Sequence, residues 1–262
     1  MHFVINQDTG DDIFFHSSRQ GIHGPILPSS NVSRTDFGDA FYMGTKRTQA
    51  LLRVTNEQAP ILYELKIPKE CLNQNNTLQL SKNDWLYFVL YNRGVLNDIK
   101  GTTFYEYYAH LADGKDFIVG PIADDVYDKC IKDFRDNNIT DYMFKEIIDS
   151  FQYGTQIAAK SKAACDSIII EKAYALTKEE RKQALERHSM NKRQRYKYYQ
   201  MRKNILSVER KGQYLSEIKE RALLGNISHD VLLESEIVKQ YKNLSFPRTI
   251  HGRRDSRHDL FR

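Results

Sequence analysis

What most limits the folds open to this chain is a change of character at Thr177. From there TKEERKQALERHSMNKRQRYKYYQMRKNILSVERKGQYLSEIKERALLG runs with few breakers, strong helix formers and a capping-box pair, Thr177 and Glu180. One or two long helices follow from that composition. Upstream, short apolar runs punctuated by Gly, Pro, Asn and Asp mix strand and helix signals without regular βαβ alternation, which predicts an α+β domain rather than a doubly wound sheet. The expected organisation is one domain over 1–176, then a basic, mainly helical region over 177–262 whose end, RTIHGRRDSRHDLFR, reads as a mobile tail.

Charge divides at the same place. The whole chain carries +5, but 177–262 holds 21 Lys+Arg against 11 Asp+Glu, leaving 18 against 23 before it, so the two parts stand at +10 and −5. A basic appendage on an acidic domain points to nucleic acid, an anionic surface or an acidic protein as partner. Within it Lys192, Arg193, Arg195, Lys197, Arg202 and Lys203 are interleaved with Tyr196, Tyr198 and Tyr199. That pattern suits phosphate contact with base stacking, and equally a solvated helix whose tyrosines pack inward. No apolar run has membrane-spanning length and the N-terminus lacks a secretory pattern, so no membrane partner and a cytoplasmic location are expected. Cys71, Cys130 and Cys165 are widely spaced, which argues against a disulfide framework and against a metal site.

In the front part the spacing predicts a short helix in 46–55, a strand over 61–67, a polar turn at 73–76 and a helix from near Asp84, capped by Asn83, to Asn92-Arg93-Gly94. The aromatic stretch 95–114 reads as a loop or insertion with a short helix, more naturally a lid packed on the core than a stacking platform. A strand at 117–119, a helix over 126–134, a helix capped by Thr140, a strand over 155–159, a helix over 162–166 and a final strand at 168–170 complete the domain. There is no glycine-rich phosphate loop of either common type.

The chemistry is expected between Ile13 and Tyr42, where a short apolar strand ends on His16 and a Gly/Pro/Ser-rich connection leads through Asp36-Phe37-Gly38 to a second aromatic strand. Phe15-His16-Ser17-Ser18 followed by Phe37-Gly38-Asp39-Ala40-Phe41-Tyr42 resembles the ADP-ribosyltransferase fold of the His-Tyr-Glu type. The succession FFH, SRTDFGDAFY, QA, YEL, DWLYFVLYNR, DFIVGPIADD and TQI is similar to the bacterial DUF3990 family, taken here as part of that group, over roughly Asp12 to Ile170. The resemblance implies a split mixed β-sheet core with flanking helices, NAD as substrate and no metal. It assigns His16 to the adenosine-side ribose, Ser17 to the close approach of backbone to ligand, Tyr42 to stacking on nicotinamide, and Gln156 to the nicotinamide-side ribose.

Two departures stand out. Ser17 and Ala40 replace glycines of the pattern, and Gln156 and Ala158 stand where carboxylates are usual. An amide orients a ribose but takes no proton and carries no charge. Asp124 and Asp125 are candidate acids and equally a helix N-terminal pair. Arg34 and Arg93 are candidate pyrophosphate ligands, with surface ion pairs as the alternative. His23 and His110 read as loop histidines, and Asp36 as a turn residue. The expected function is an intracellular mono-ADP-ribosyltransferase toxin acting on RNA or DNA and answered by an antitoxin protein. A protein acceptor, or a catalytically silent nucleic-acid- or partner-binding module, are the alternatives.

Overall fold

The computed structural model describes residues 13–29, 35–53, 60–122, 125–151 and 154–225. They form an α+β structure around a seven-stranded mixed sheet. The strands are β1 (Ile13–Ser18), β2 (Phe41–Gly44), β3 (Ile61–Lys66), β4 (Thr77–Gln79), β5 (Phe117–Pro121), β6 (Thr155–Ala159) and β7 (Ile169–Ala175). Their order is β4-β5-β6-β2-β1-β3-β7, with only the β4/β5 pair parallel. The helices are α1 (Arg47–Leu52), α2 (Lys82–Asn92), α3 (Thr103–His110), α4 (Asp125–Arg135), α5 (Asp141–Asp149), α6 (Lys162–Asp166), α7 (Lys178–Ser207) and α8 (Leu215–Leu223).

The sheet is tight on both sides of its middle and loose in the middle itself. β1 pairs with β3 over six successive positions, and β2 pairs with β6 over four. Between β1 and β2 a single register pair remains, Phe15 opposite Gly44.

Alternation along the strands builds two cores. On β5 and β6, Ile118 and Ala158 face one cluster, whereas Phe117, Val119, Ile157 and Ala159 face the other. That period of two is the signature of a sheet covered on both faces. The larger cluster is built on α2, in which Trp85 to Leu90 are all buried. A helix apolar on every side sits inside a core rather than on one.

α2 starts two residues early, because Ser81 rather than Asn83 caps it by accepting from the Asp84 N–H at 3.1 Å. It ends as the sequence suggests, on Gly94 at φ +73°. The aromatic stretch becomes α3, and Phe104, Tyr105 and Tyr108 are buried in the same cluster. β4 is a strand for which the sequence gives no expectation, following the polar turn at 73–76, and β7 extends well past Ile170, to Ala175.

The change of character at Thr177 is not a break in packing. α7 begins on the expected capping box, with the Glu180 N–H donating to the Thr177 hydroxyl at 3.2 Å. It runs over 30 residues, about 45 Å at helical rise, against α1, α4 and α5. Tyr199 and Leu206 from α7, with Leu215, Ile218 and Ala222 from α8, are buried in the same core as α2. Asp133 on α4 is the anchor: it accepts from Lys129 (2.6 Å), Tyr199 (2.5 Å) and Lys203 (2.9 Å), with 2% of its surface exposed. The segment read as a mobile tail lies outside the described residues.

Candidate functional site

The loosened junction of β1 and β2 opens a cleft. Phe15, His16 and Ser17 of β1 form one wall, and Tyr42, Met43 and Gly44 of β2 the other. Gln49, Ala50 and Arg53, at and just after α1, close it on one side, with Ile122 and Gln156 beyond. Its inner space is about 130 Å³, close to the roughly 150 Å³ that takes one six-membered ring.

His16 does unusual work for a strand residue. Its Nδ1 lies 2.7 Å from the Tyr42 carbonyl on the neighbouring strand, so the imidazole occupies the place of a ladder bond. A carbonyl only accepts, hence Nδ1 carries the proton. Burial holds the imidazole below its ordinary pKa against the opposing pull of that hydrogen bond, with Arg53 adding a smaller push in the same direction as burial. The ring is therefore neutral at neutral pH, and Nε2 is its acceptor. Phe41 packs against it at 4.4 Å between ring centres.

Tyr42 lines the cleft, its ring lies 6.3 Å from that of Phe37, and its hydroxyl is bound to the chain. The hydroxyl donates to the Gly38 carbonyl (2.6 Å) and accepts from the Phe37 N–H (3.0 Å). Gly38 turns at φ +75°, and a Cβ there would lie 2.9 Å from Asn92 Oδ1, so the loop needs glycine at this point. Burial pushes the phenol up to about 12, which keeps it protonated and excludes it as a base at neutral pH.

Gln156 is 4% exposed. Its Nε2 donates to Asp36 Oδ2 (3.1 Å) and to the Pro121 carbonyl (3.2 Å). Two acceptors on one side fix which way the amide lies. Asp36 is thus not a turn cap but the partner of Gln156 and of Arg93, whose Nε and Nη2 reach Oδ1 at 3.1 and 2.6 Å. Arg93 also donates to Asp128 at 2.8 Å, so it serves an ion-pair chain and not the cleft.

The structure brings His16, Ser17, Tyr42 and Gln156 to one cleft. Arg34 and Asp124 lie outside the described residues, and the Asp125 side chain does too. Two residues of the cleft, Arg53 and Gln49, escaped the sequence. Arg53 lines it as a cation, while Ser17 Oγ and Gln49 Oε1 are buried without a hydrogen-bond partner among the described residues. Buried polar atoms are rarely left so. A hydroxyl, an amide oxygen and a guanidinium are thus the polar points of a lining that is otherwise largely apolar. The Gln49-Ala50 pair belongs to the family pattern, which is the available signal for Gln49.

The basic stretch divides. Arg193 and Lys197 are exposed, and Lys192 and Arg195 are half-buried, Lys192 lying 5.8 Å from the Tyr196 ring centre. Lys203 is bound to Asp133, and Arg202 stands 3.8 Å from Glu146. His23 bonds the Gln20 carbonyl and His110 pairs with Asp113, both exposed. Cys130 and Cys165 are buried thiols and Cys71 is half-buried. Among the described residues no group of three metal-ligating side chains comes together, and no helix is long and apolar enough to cross a membrane.

Fold and cleft together define an α+β protein with an opening large enough for a ring-sized ligand near the centre of a mixed sheet. The chain belongs to the DUF3990 family, a protein family of unknown function, whose model matches residues 13–170. That span takes in every strand up to the start of β7 and the whole lining of the cleft. No curated protein and no solved structure matches the chain.

Proposed function

We propose that the protein is an NAD-dependent mono-ADP-ribosyltransferase, an intracellular toxin of a toxin–antitoxin or phage-defence type, with a nucleic acid as acceptor. The observation that carries this is the convergence of His16, Tyr42 and Gln156 on one cleft at the loose junction of the sheet. That junction agrees with the split sheet of the ADP-ribosyltransferase group. In this reading the inner space takes nicotinamide against the Tyr42 ring, His16 Nε2 accepts from a ribose hydroxyl, and Arg53 faces the pyrophosphate. Departure of nicotinamide leaves positive charge on the sugar, and a positioned acceptor oxygen stabilises it.

The acceptor is argued from charge. α7 packs on α1, which lines the cleft, and further along α7 the exposed Arg193 and Lys197 are cations that a polyanion would meet. Incubating the protein with labelled NAD and total RNA, DNA or lysate protein tests both parts. Label is expected on RNA or DNA; label confined to protein overturns the nucleic-acid acceptor, and free ADP-ribose alone makes the enzyme a hydrolase. His16→Ala is expected to lower kcat/KM for NAD by about tenfold or more while the thermal transition stays cooperative. A protein that neither binds nor consumes NAD is the silent module instead.

A further inference from the structure

Asp36 has no part in the chemistry described so far, yet it is 9% exposed and tied to three elements at once. It stands in the loop before β2, pairs with Arg93 at the end of α2, and reaches Gln156 on β6. Arg93 is in turn held by Asp128 on α4. The same loop is pinned again by Lys160 Nζ on the Phe37 carbonyl at 2.9 Å and by Tyr42 on Gly38. A carboxylate held this firmly beside an amide controls that amide.

The Gln156 amide can lie in two orientations that differ only in which atom faces away from Asp36. With Asp36 Oδ2 and the Pro121 carbonyl both requiring a donor, Nε2 must point to them. Oε1 is then the atom turned elsewhere, on a residue that lines the cleft. A hydrogen bond from an amide to a carboxylate also draws charge onto the amide oxygen, since linked hydrogen bonds polarise one another.

The geometry points to Asp36 as a positioning residue for the proposed transfer. Its carboxylate locks and polarises Gln156, so that a neutral side chain presents an electron-rich oxygen where positive charge develops on the sugar. A carboxylate one hydrogen bond away thereby does part of what a glutamate at 156 would do directly. This inference rests on the NAD reading of the cleft.

Nicotinamide release by the full chain tests it, with NAD binding followed by calorimetry. Asp36→Asn preserves shape, but the introduced amide must turn its oxygen to Arg93 and its nitrogen to Gln156. Two donors then face each other while the Pro121 carbonyl still requires one, so no orientation of the Gln156 amide satisfies both neighbours and Oε1 is no longer held in place. The expected result is a fall in kcat of roughly 10²-fold with KM for NAD changed by less than about threefold. In the double variant D36N/Q156E the introduced amide donates to the introduced carboxylate, and at least about a tenfold recovery over D36N is expected. Q156E alone sets two carboxyl groups against each other and is expected to be slower than wild type.

Wild-type turnover in D36N, or no recovery in the double variant, overturns the role of Asp36 and leaves the NAD reading standing. If D36N fails to fold, Q156E decides, because a Q156E enzyme faster than wild type places no carboxylate opposite position 156. Absence of NAD binding and nicotinamide release in the wild type overturns the NAD reading and this inference with it.

Discussion

Asp133→Ala is expected to cost about 3–5 kcal/mol of stability, measured as a lowered midpoint in urea at unchanged slope. The substitution leaves Lys203 and Lys129 without their shared anion and Tyr199, fully buried, without an acceptor for its hydroxyl. The cost falls where α7 meets α4, at the seam that holds the long helix to the core. A loss under about 1 kcal/mol, the size of an exposed ion pair, refutes the anchor. The same residue sets a pH dependence. Burial alone would raise the Asp133 pKa, but hydrogen bonds from Lys129, Tyr199 and Lys203 outweigh it and hold the carboxyl at about 2. A folded value below the unfolded one stabilises the fold above the unfolded value, near 4, and that contribution is lost as pH falls from about 4 through about 2. Acid unfolding should therefore shift in the Asp133→Asn variant, which lacks the titrating group.

Tyr42→Ala is expected to lower kcat/KM for NAD by about 10³-fold, the larger of two separable effects at that residue. Tyr42→Phe keeps the ring and loses only the hydroxyl that ties Gly38 and Phe37, so it should cost about 1 kcal/mol in stability and about tenfold in activity. The difference between the two variants isolates the ring as a platform. If alanine and phenylalanine are equally damaging, the ring contributes nothing and Tyr42 is only a loop fastener. Because the phenol is pushed up to about 12, neither variant should alter the pH profile near neutrality.

Much of the fold was legible where the sequence writes its own local signals. Thr140 caps α5 by accepting from the Met143 N–H, Thr177 opens α7, and Gly94 closes α2, each from chemistry within a few residues. Three residues of β4 carry too little pattern to be read, because their pairing with β5 is decided forty positions away. Ile168-Ile169-Ile170 looks like a core strand, yet Ile169 and Ile170 are 45% and 44% exposed on the edge strand β7. Apolar composition reports strand propensity there, not burial.

The cleft was legible in its residue types and illegible in its wiring. His16, Ser17, Tyr42 and Gln156 could be named from motif order, whereas Asp36 looked like a turn residue because its partners lie 57 and 120 positions away. Arg93 suited a pyrophosphate as well as an ion pair until Asp36 and Asp128 were found on either side of it. The tyrosines of α7 divide in the same manner, since Tyr199 is wholly buried and Tyr198 is 37% exposed. Adjacent positions on a helix face different ways, and composition cannot tell them apart.

The imidazole between β1 and β2 has a further consequence. It fills the spot where a main-chain N–H would otherwise bond the Tyr42 carbonyl, and so acts as a spacer that props two strands apart. Without the wedge, the strands are free to zip together beyond Phe15 and Gly44, and the opening closes as the sheet becomes more regular. His16 is then as much the reason that a hollow exists as a contact within it, and a substitution there that stiffens the sheet while emptying the site would be a gain in order at the expense of room.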